Sequence, residues 1–229
     1  MTTGNNISIG ILTRHRLSDL RRCATSAMAT VGIPANVIIA FDDDLSNFRA
    51  CPNWHWAMKF PLPMRHYYVR GMNVLFALMK QYNPNLDYFV VTNDDSEFLT
   101  PGWGEEAIST LHERFPDGMG VLELAHPDLC AHYVSRRAVF DAHFEGNLAH
   151  PEYTMYFSDN HLRNSLKDMD MFASIEGSGG KQIINHYLSQ DTLREDLRYW
   201  RQSDRKVYKK YVTQNNWHDK WINNVDGEV

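Results

Sequence analysis

Asn93-Asp94-Asp95-Ser96-Glu97 ends the apolar run Tyr88-Phe89-Val90-Val91, and Pro101-Gly102-Trp103 stands just behind it. The run reads as a buried strand, so a cluster of acids gathers at its carboxyl end. Carboxylates placed there repel one another and lose hydration, and a cation relieves both costs. Hard oxygen ligands suit Mg²⁺ or Mn²⁺, whose open positions substrate phosphates fill. A divalent-metal site for a phosphorylated ligand is one reading of the cluster, and a solvated acidic turn is the other.

Two further polar tips follow apolar runs. Thr13-Arg14 comes after residues 7–12, and Asp42-Asp43-Asp44 comes after residues 37–41. A third candidate surface lies near the carboxyl terminus. Residues 194–220 carry eight Lys or Arg against four Asp or Glu, interleaved with Tyr199, Trp200, Tyr208, Tyr211, Trp217 and Trp221. Cations that track phosphates beside aromatics that stack bases suit a nucleic-acid groove. The same pattern also describes an amphipathic helix docked by its apolar face, with basic stems in solvent.

The elements that must position these residues alternate. Residues 7–12 form a strand, Leu17, Leu20, Ala24 and Met28 recur at helical spacing, and Gly32-Ile33-Pro34 stops that helix. A second strand covers 37–41, and a loop rich in Trp, Pro and Asn covers 45–66. A short strand is expected at 67–69, then a helix bearing Val74, Leu75, Leu78 and Met79, then the acid-tipped strand. Further on, the patterns predict a helix over 105–115 and strands at 120–124 and 131–134. Ser135 is expected to cap a helix running to 144, and a further helix over 157–167. A Gly-rich turn at 177–180 precedes a strand at 182–184. Thr192-Leu193-Arg194-Glu195 reads as a capping box for a helix through Tyr211. Unbroken apolar strands alternating with helices imply an α/β fold with a mostly parallel sheet covered on both faces. Ligands of such sheets bind outside the strand carboxyl ends, where all three tips fall.

Composition narrows the class. A net charge of −5 gives no global attraction to a polyanion, and no run approaches the roughly 18 apolar residues of a membrane span. Cys23, Cys51 and Cys130 show no C-x-x-C spacing and read as reduced thiols. With a polar start at residues 1–6, these features lead us to expect a cytoplasmic protein.

The order of strand, acidic strand end, Arg70-Gly71 helix, N-D-D-x-E with P-G-W, Arg136-Arg137 helix, Tyr156-Phe157-Ser158-Asp159 helix and late histidine resembles the nucleotide-sugar glycosyltransferases of the GT-A fold. It is most similar to their inverting, family-two-like branch, over about residues 7–190, and a phage-type DNA-modifying member is one form of it. The resemblance implies a Rossmann-like GT-A domain over 1–190 with a C-terminal helical extension, 191–229, packed on it. It implies that Thr13, Arg14, Asp42 or Asp43, Arg70, Gly71 and Asp94 bind the donor, with a UDP-sugar as donor. Asp95 would hold Mn²⁺ or Mg²⁺, with Asn93 in the first motif position and His186 as a further ligand. Asp159 would be the catalytic base of an inverting transfer. The acceptor is expected to meet Trp103 and the basic side chains Arg201, Arg205, Lys209 and Lys210. A hydroxymethylated DNA base is the expected acceptor, and a saccharide or lipid-linked glycan the alternative. A non-catalytic nucleotide-sugar-binding module would fit the neutral Asn93 and the single acid at Asp159-Asn160. A nucleotidyltransferase would need glycines that residues 12–16 lack.

Overall fold

The computed structural model describes residues 6–125, 127–187 and 195–217, with only the backbone for 195–198. The order is β1 (Ile7–Thr13), α1 (Leu17–Thr30), β2 (Ala35–Asp42), α2 (Leu45–Ala50), β3 (Ala57–Leu62), α3 (Tyr67–Tyr82), β4 (Tyr88–Asn93), β5 (Ser96–Phe98) and α4 (Trp103–Arg114). There follow β6 (Val121–Glu123), β7 (Tyr133–Arg136), α5 (Arg137–His143), α6 (Ser158–Asp168), β8 (Phe172–Ser174), a 3₁₀ turn (Glu176–Ser178), β9 (Ile184–His186) and α7 (Glu195–Asn215). The main sheet runs β3-β2-β1-β4-β7-β6-β8, and only β7 opposes its neighbours. It is thus an α/β fold with a mostly parallel sheet flanked by helices.

Alternation along the strands explains the two layers. Ile7, Ile9, Ile11, Val37, Ile39 and Phe41 bury against α1 and α4, while Ile38, Ala40, Phe89 and Val91 bury against α3, α5 and α6. The second face of β1 carries no bulk at Gly10. A Cβ there would stand 2.6 Å from the Met79 sulfur, and one on Gly71 would stand 2.8 Å from the Leu12 side chain. These two glycines let α3 lie directly on β1. A third, smaller cluster joins Val69, Ala149, Tyr153 and Phe157 to Tyr208 of α7.

Several expectations are corrected. Residues 67–69 open α3 instead of forming a strand: Tyr67 turns the chain at φ 57°, and Val69 then buries and donates its N–H to the Thr154 carbonyl. The presumed loop at 45–66 holds α2 and β3. Lys59 and Pro61 masked β3, and they are tolerated because it is the edge strand. Ser135 lies in β7 with its hydroxyl on the Gly120 carbonyl, so it caps nothing, and α5 starts at Arg137. The late strand is shifted to Ile184–His186 and pairs with β5. The capping box at 192–195 falls largely outside the described residues. All three cysteines are buried and unpaired. No helix among the described residues is long and apolar enough to cross a membrane.

Candidate functional site

Parallel pairing of β1 with β2 and β4 sets Thr13 beside Phe41 and Leu12 beside Asn93, so the three polar tips share one edge. The chain turns immediately after β4, and both following aspartates fold inward. Asp94 is fully buried and Asp95 nearly so. The Thr13 hydroxyl donates to Asp94 Oδ2 at 2.7 Å. Arg16, just before α1, spans the pair: Nη1 lies 2.7 Å from Asp95 Oδ2 and Nη2 lies 2.8 Å from Asp94 Oδ1.

The β5–β9 ribbon places Ser96 opposite His186, which brings His186 Nε2 to 3.2 Å from Asp95 Oδ1. The His186 ring meets His132 edge-on at 4.6 Å, and His132 Nδ1 lies 3.0 Å from the Thr92 hydroxyl. Burial pushes the Asp94 carboxyl upward, against the opposing Arg16 charge and Thr13 hydrogen bond. Burial acts on Asp95 the same way, but the His186 hydrogen bond and the Arg16 charge outweigh it and hold that group below the usual carboxylate range.

The expected divalent ion does not fit these residues as they stand. The guanidinium lies against both carboxylates, where the ion would bind. Among the described residues, no group of three or more His, Cys, Asp or Glu is arranged to hold a metal. Asn93 ends β4 half-buried, and its backbone carbonyl accepts the Cys23 thiol.

At the end of β2 the three acids have separate duties. Asp42 is buried, and its Oδ1 accepts the His66 N–H at 2.6 Å, tying down the segment after β3. Asp44 caps α2: it accepts from Asn47 and Ser46, and from the His15 N–H at 2.7 Å. Those hydrogen bonds outweigh the cost of its burial and lower its pKa. Asp43 alone faces solvent, at φ 52°. Arg14 is half-buried, with its Nε lacking a hydrogen-bond partner. Arg70 is exposed on α3, and Gly71 lets that helix pack against Leu12.

Asp159 occupies the first turn of α6, half-buried, and accepts the Asn160 N–H at 2.9 Å. Tyr68, half-buried in the first turn of α3, lines a small cavity with Asp159. Desolvation raises the pKa of the Tyr68 phenol first, and the charges of Asp159, Cys130, Glu123 and Asp95 add to it. Four of the non-glycine residues at positive φ stand just beyond β1 and β2 or at helix starts: His15, Asp43, Tyr67 at the start of α3 and Phe157 just before α6. Such backbone costs on the order of 1–3 kcal/mol each and persists only where the surroundings dictate it.

The acceptor expectations divide. Trp103 is a core residue: it is fully buried, packs on Phe98 at 4.7 Å and donates its indole N–H to the Ala27 carbonyl. The P-G-W segment docks α4, with Gly102 at φ 77° donating to the Thr30 carbonyl. Arg201, Lys209 and Lys210 are exposed on α7, and Lys210 pairs with Glu152 at 3.3 Å. Arg205 is half-buried.

Four contributors escaped the sequence reading. Arg16 was read only as a residue of a glycine-free loop. Glu123 is fully buried and gathers the N–H groups of Ala125, Ala131 and His132; its signal was an acid inside the apolar run Val121-Leu122-Glu123-Leu124. Asp204 is buried in α7 and accepts the N–H groups of Thr154, Met155 and Tyr156, between Trp200 and Tyr208 at helical spacing. Tyr68 had been placed in a strand. A separate cavity of about 450 Å³, lined by His150, His161, Asp168 and Trp217, contains none of the strand-end residues.

No protein-family model and no curated protein matches the chain. Among solved structures it is similar to residues 1–349 of TarS from S. aureus, at 11% identity and a TM-score of 0.46, over 60% of this chain. The match takes in 48% of that chain, so this chain spans about half its length.

Proposed function

We propose that this chain transfers a sugar from a nucleoside diphosphate, a UDP-sugar in the first instance, to an acceptor hydroxyl. The observation that carries the reading is the gathering of acids and cations at one sheet edge. Thr13–Arg16, Asp42–Asp43 and Asp94–Asp95 come from the adjacent ends of β1, β2 and β4, and Asp159, in the first turn of α6, is the carboxylate assigned to the acceptor. A diphosphate leaves readily once its charge is met, so no second carboxylate is required as general acid. Arg14, with its unpartnered Nε, and exposed Arg70 are the cations offered to the phosphates. Asp43, the one solvent-facing acid of its triplet, is offered to the nucleoside.

Asp159 removes the proton from the acceptor hydroxyl as that oxygen attacks the anomeric carbon from the face opposite the diphosphate, inverting its configuration. Asp159→Asn should keep UDP affinity within about twofold and cut turnover at least about a hundredfold, the scale of losing a general base. Near-normal turnover would move the base elsewhere, and a product of retained configuration would remove the inverting assignment.

For the acceptor we propose a hydroxymethylated DNA base, supported by the exposed Arg201, Lys209 and Lys210 on the outward side of α7. Alanine at Arg201, Arg205, Lys209 and Lys210 should weaken binding to modified DNA most at low salt. Unchanged affinity would turn α7 into scaffold and leave a saccharide or lipid-linked glycan as acceptor. The engagement of both acidic-pair carboxylates by Arg16 also favours a second reading, a non-catalytic nucleotide-sugar-binding module. Donor hydrolysis without acceptor, above buffer background, would exclude that reading.

A further inference from the structure

Each of the four carboxylate oxygens of Asp94 and Asp95 faces a donor or cation of the protein, two by hydrogen bond and two, Asp94 Oδ1 and Asp95 Oδ1, by ion-pair contact without one. Asp94 Oδ2 accepts the Thr13 hydroxyl, Asp94 Oδ1 and Asp95 Oδ2 meet the two Nη atoms of Arg16, and Asp95 Oδ1 lies against His186 Nε2. A divalent ion needs those same lone pairs, at about 2.0–2.2 Å for Mg²⁺ or Mn²⁺ and in near-octahedral array. It would also approach a fixed guanidinium, and like charges a few ångströms apart in a buried site repel strongly. The Arg16 side chain is 27% exposed, so its place beside two buried acids is not a matter of crowding alone. A planar fork matches two carboxylates as a point charge does not.

We propose that Arg16 is a built-in cation standing where a metal would, so that this edge binds its anionic ligand without a divalent ion. The inference rests on the ion-pair geometry and not on the sugar-transfer reading. Removing that side chain would leave the Asp94 and Asp95 carboxylates open to an ion.

Mn²⁺ titration of the full chain, followed by the electron paramagnetic resonance of the free ion, tests it directly. Wild type should show no saturable site below about 1 mM, and Arg16→Met should bind at least about tenfold more tightly, with the gain lost in Arg16→Met/Asp95→Asn. If Arg16→Met is unstable because two acids lose their partner, Mn²⁺ should restore its melting temperature. A wild-type site saturating near 100 µM and removed by Asp95→Asn overturns the proposal. So does a folded Arg16→Met with no gain, or an unstable one that Mn²⁺ fails to restore. In a parallel arm, UDP should raise the wild-type melting temperature equally in EDTA and in Mn²⁺, and a rise that needs Mn²⁺ also overturns the proposal. If UDP raises it in neither, the nucleotide-sugar reading fails while the Mn²⁺ titration still decides the role of Arg16.

Discussion

Asp42, Asp43 and Asp44 are chemically identical neighbours, yet backbone geometry assigns each a different task. Asp42 and Asp44 are buried and accept N–H donors from the segments after β3 and β1 and from α2, which fixes the floor of the site. Asp43 stands in the left-handed region at φ 52°, donates its own N–H to the Leu62 carbonyl, and leaves its carboxylate in solvent. Left-handed backbone strains any residue with a Cβ, though Asp less than most. Asp43→Gly should therefore raise stability by about 0.5–1 kcal/mol, seen as a higher urea midpoint. If the carboxylate meets a nucleoside, the same variant should weaken UDP binding about tenfold, the worth of one hydrogen bond to a charged group. Stability and affinity moving in opposite directions would mark a residue kept for binding. An unchanged affinity would return Asp43 to the turn.

At the scale of elements, α7 shows how far pattern alone reaches. Its spacing predicted an amphipathic helix, and its inward face carries Trp200, Asp204, Val207, Tyr208 and Tyr211. Tyr208 stacks on Phe157 at 5.2 Å, and Trp200 meets Tyr67 edge-on at 5.2 Å. What the pattern concealed is the buried Asp204, an acid on an apolar face that accepts three consecutive N–H groups from 154–156. That clamp sets the entry into α6, and so the position of Asp159. Asp204→Ala leaves those donors without their acceptor and should cost about 3 kcal/mol. Amide exchange at Thr154, Met155 and Tyr156 should quicken, and turnover should fall more than UDP affinity does. Stability within about 0.5 kcal/mol of wild type would show the clamp to be ornamental. The central strands and longer helices were legible because burial on both faces leaves an unbroken apolar signal. Edge strand β3 was not, because one open side admits Lys59 and Pro61. In the site, the acids at strand ends could be read, since charge ending an apolar run is local. The pairing of Arg16 with residues 78 and 79 positions later could not, and neither could the burial of Trp103, because both depend on which segments the sheet order brings together.

Across the whole molecule, stability should respond to pH through two buried groups that act in opposite directions. His161 lies among Tyr153, His150, Tyr211 and Trp217, with its Nδ1 3.0 Å from the Tyr153 hydroxyl. Burial, reinforced by His150, depresses its pKa to about 4 from the ordinary 6.5. As pH falls through 6.5 the unfolded chain gains a proton there that the folded chain refuses until about 4. Stability is therefore lost across that window, by about 3 kcal/mol in full. Asp94 works the other way. Its raised folded pKa means that acidification protonates the folded state first, which relieves a buried charge and offsets part of the loss. The sum of the two is a shallow profile, and only a difference separates them. His161→Gln removes the first contribution while leaving Asp94 in its own balance of charges, so its stability should rise between pH 6.5 and 4 relative to wild type. Urea unfolding at half-unit pH steps would measure this. The gap between variant and wild type should narrow by about 3 kcal/mol over the window. Parallel profiles would mean that His161 takes up its proton as freely in the fold as outside it, and that the aromatic cluster beneath α7 is open to water.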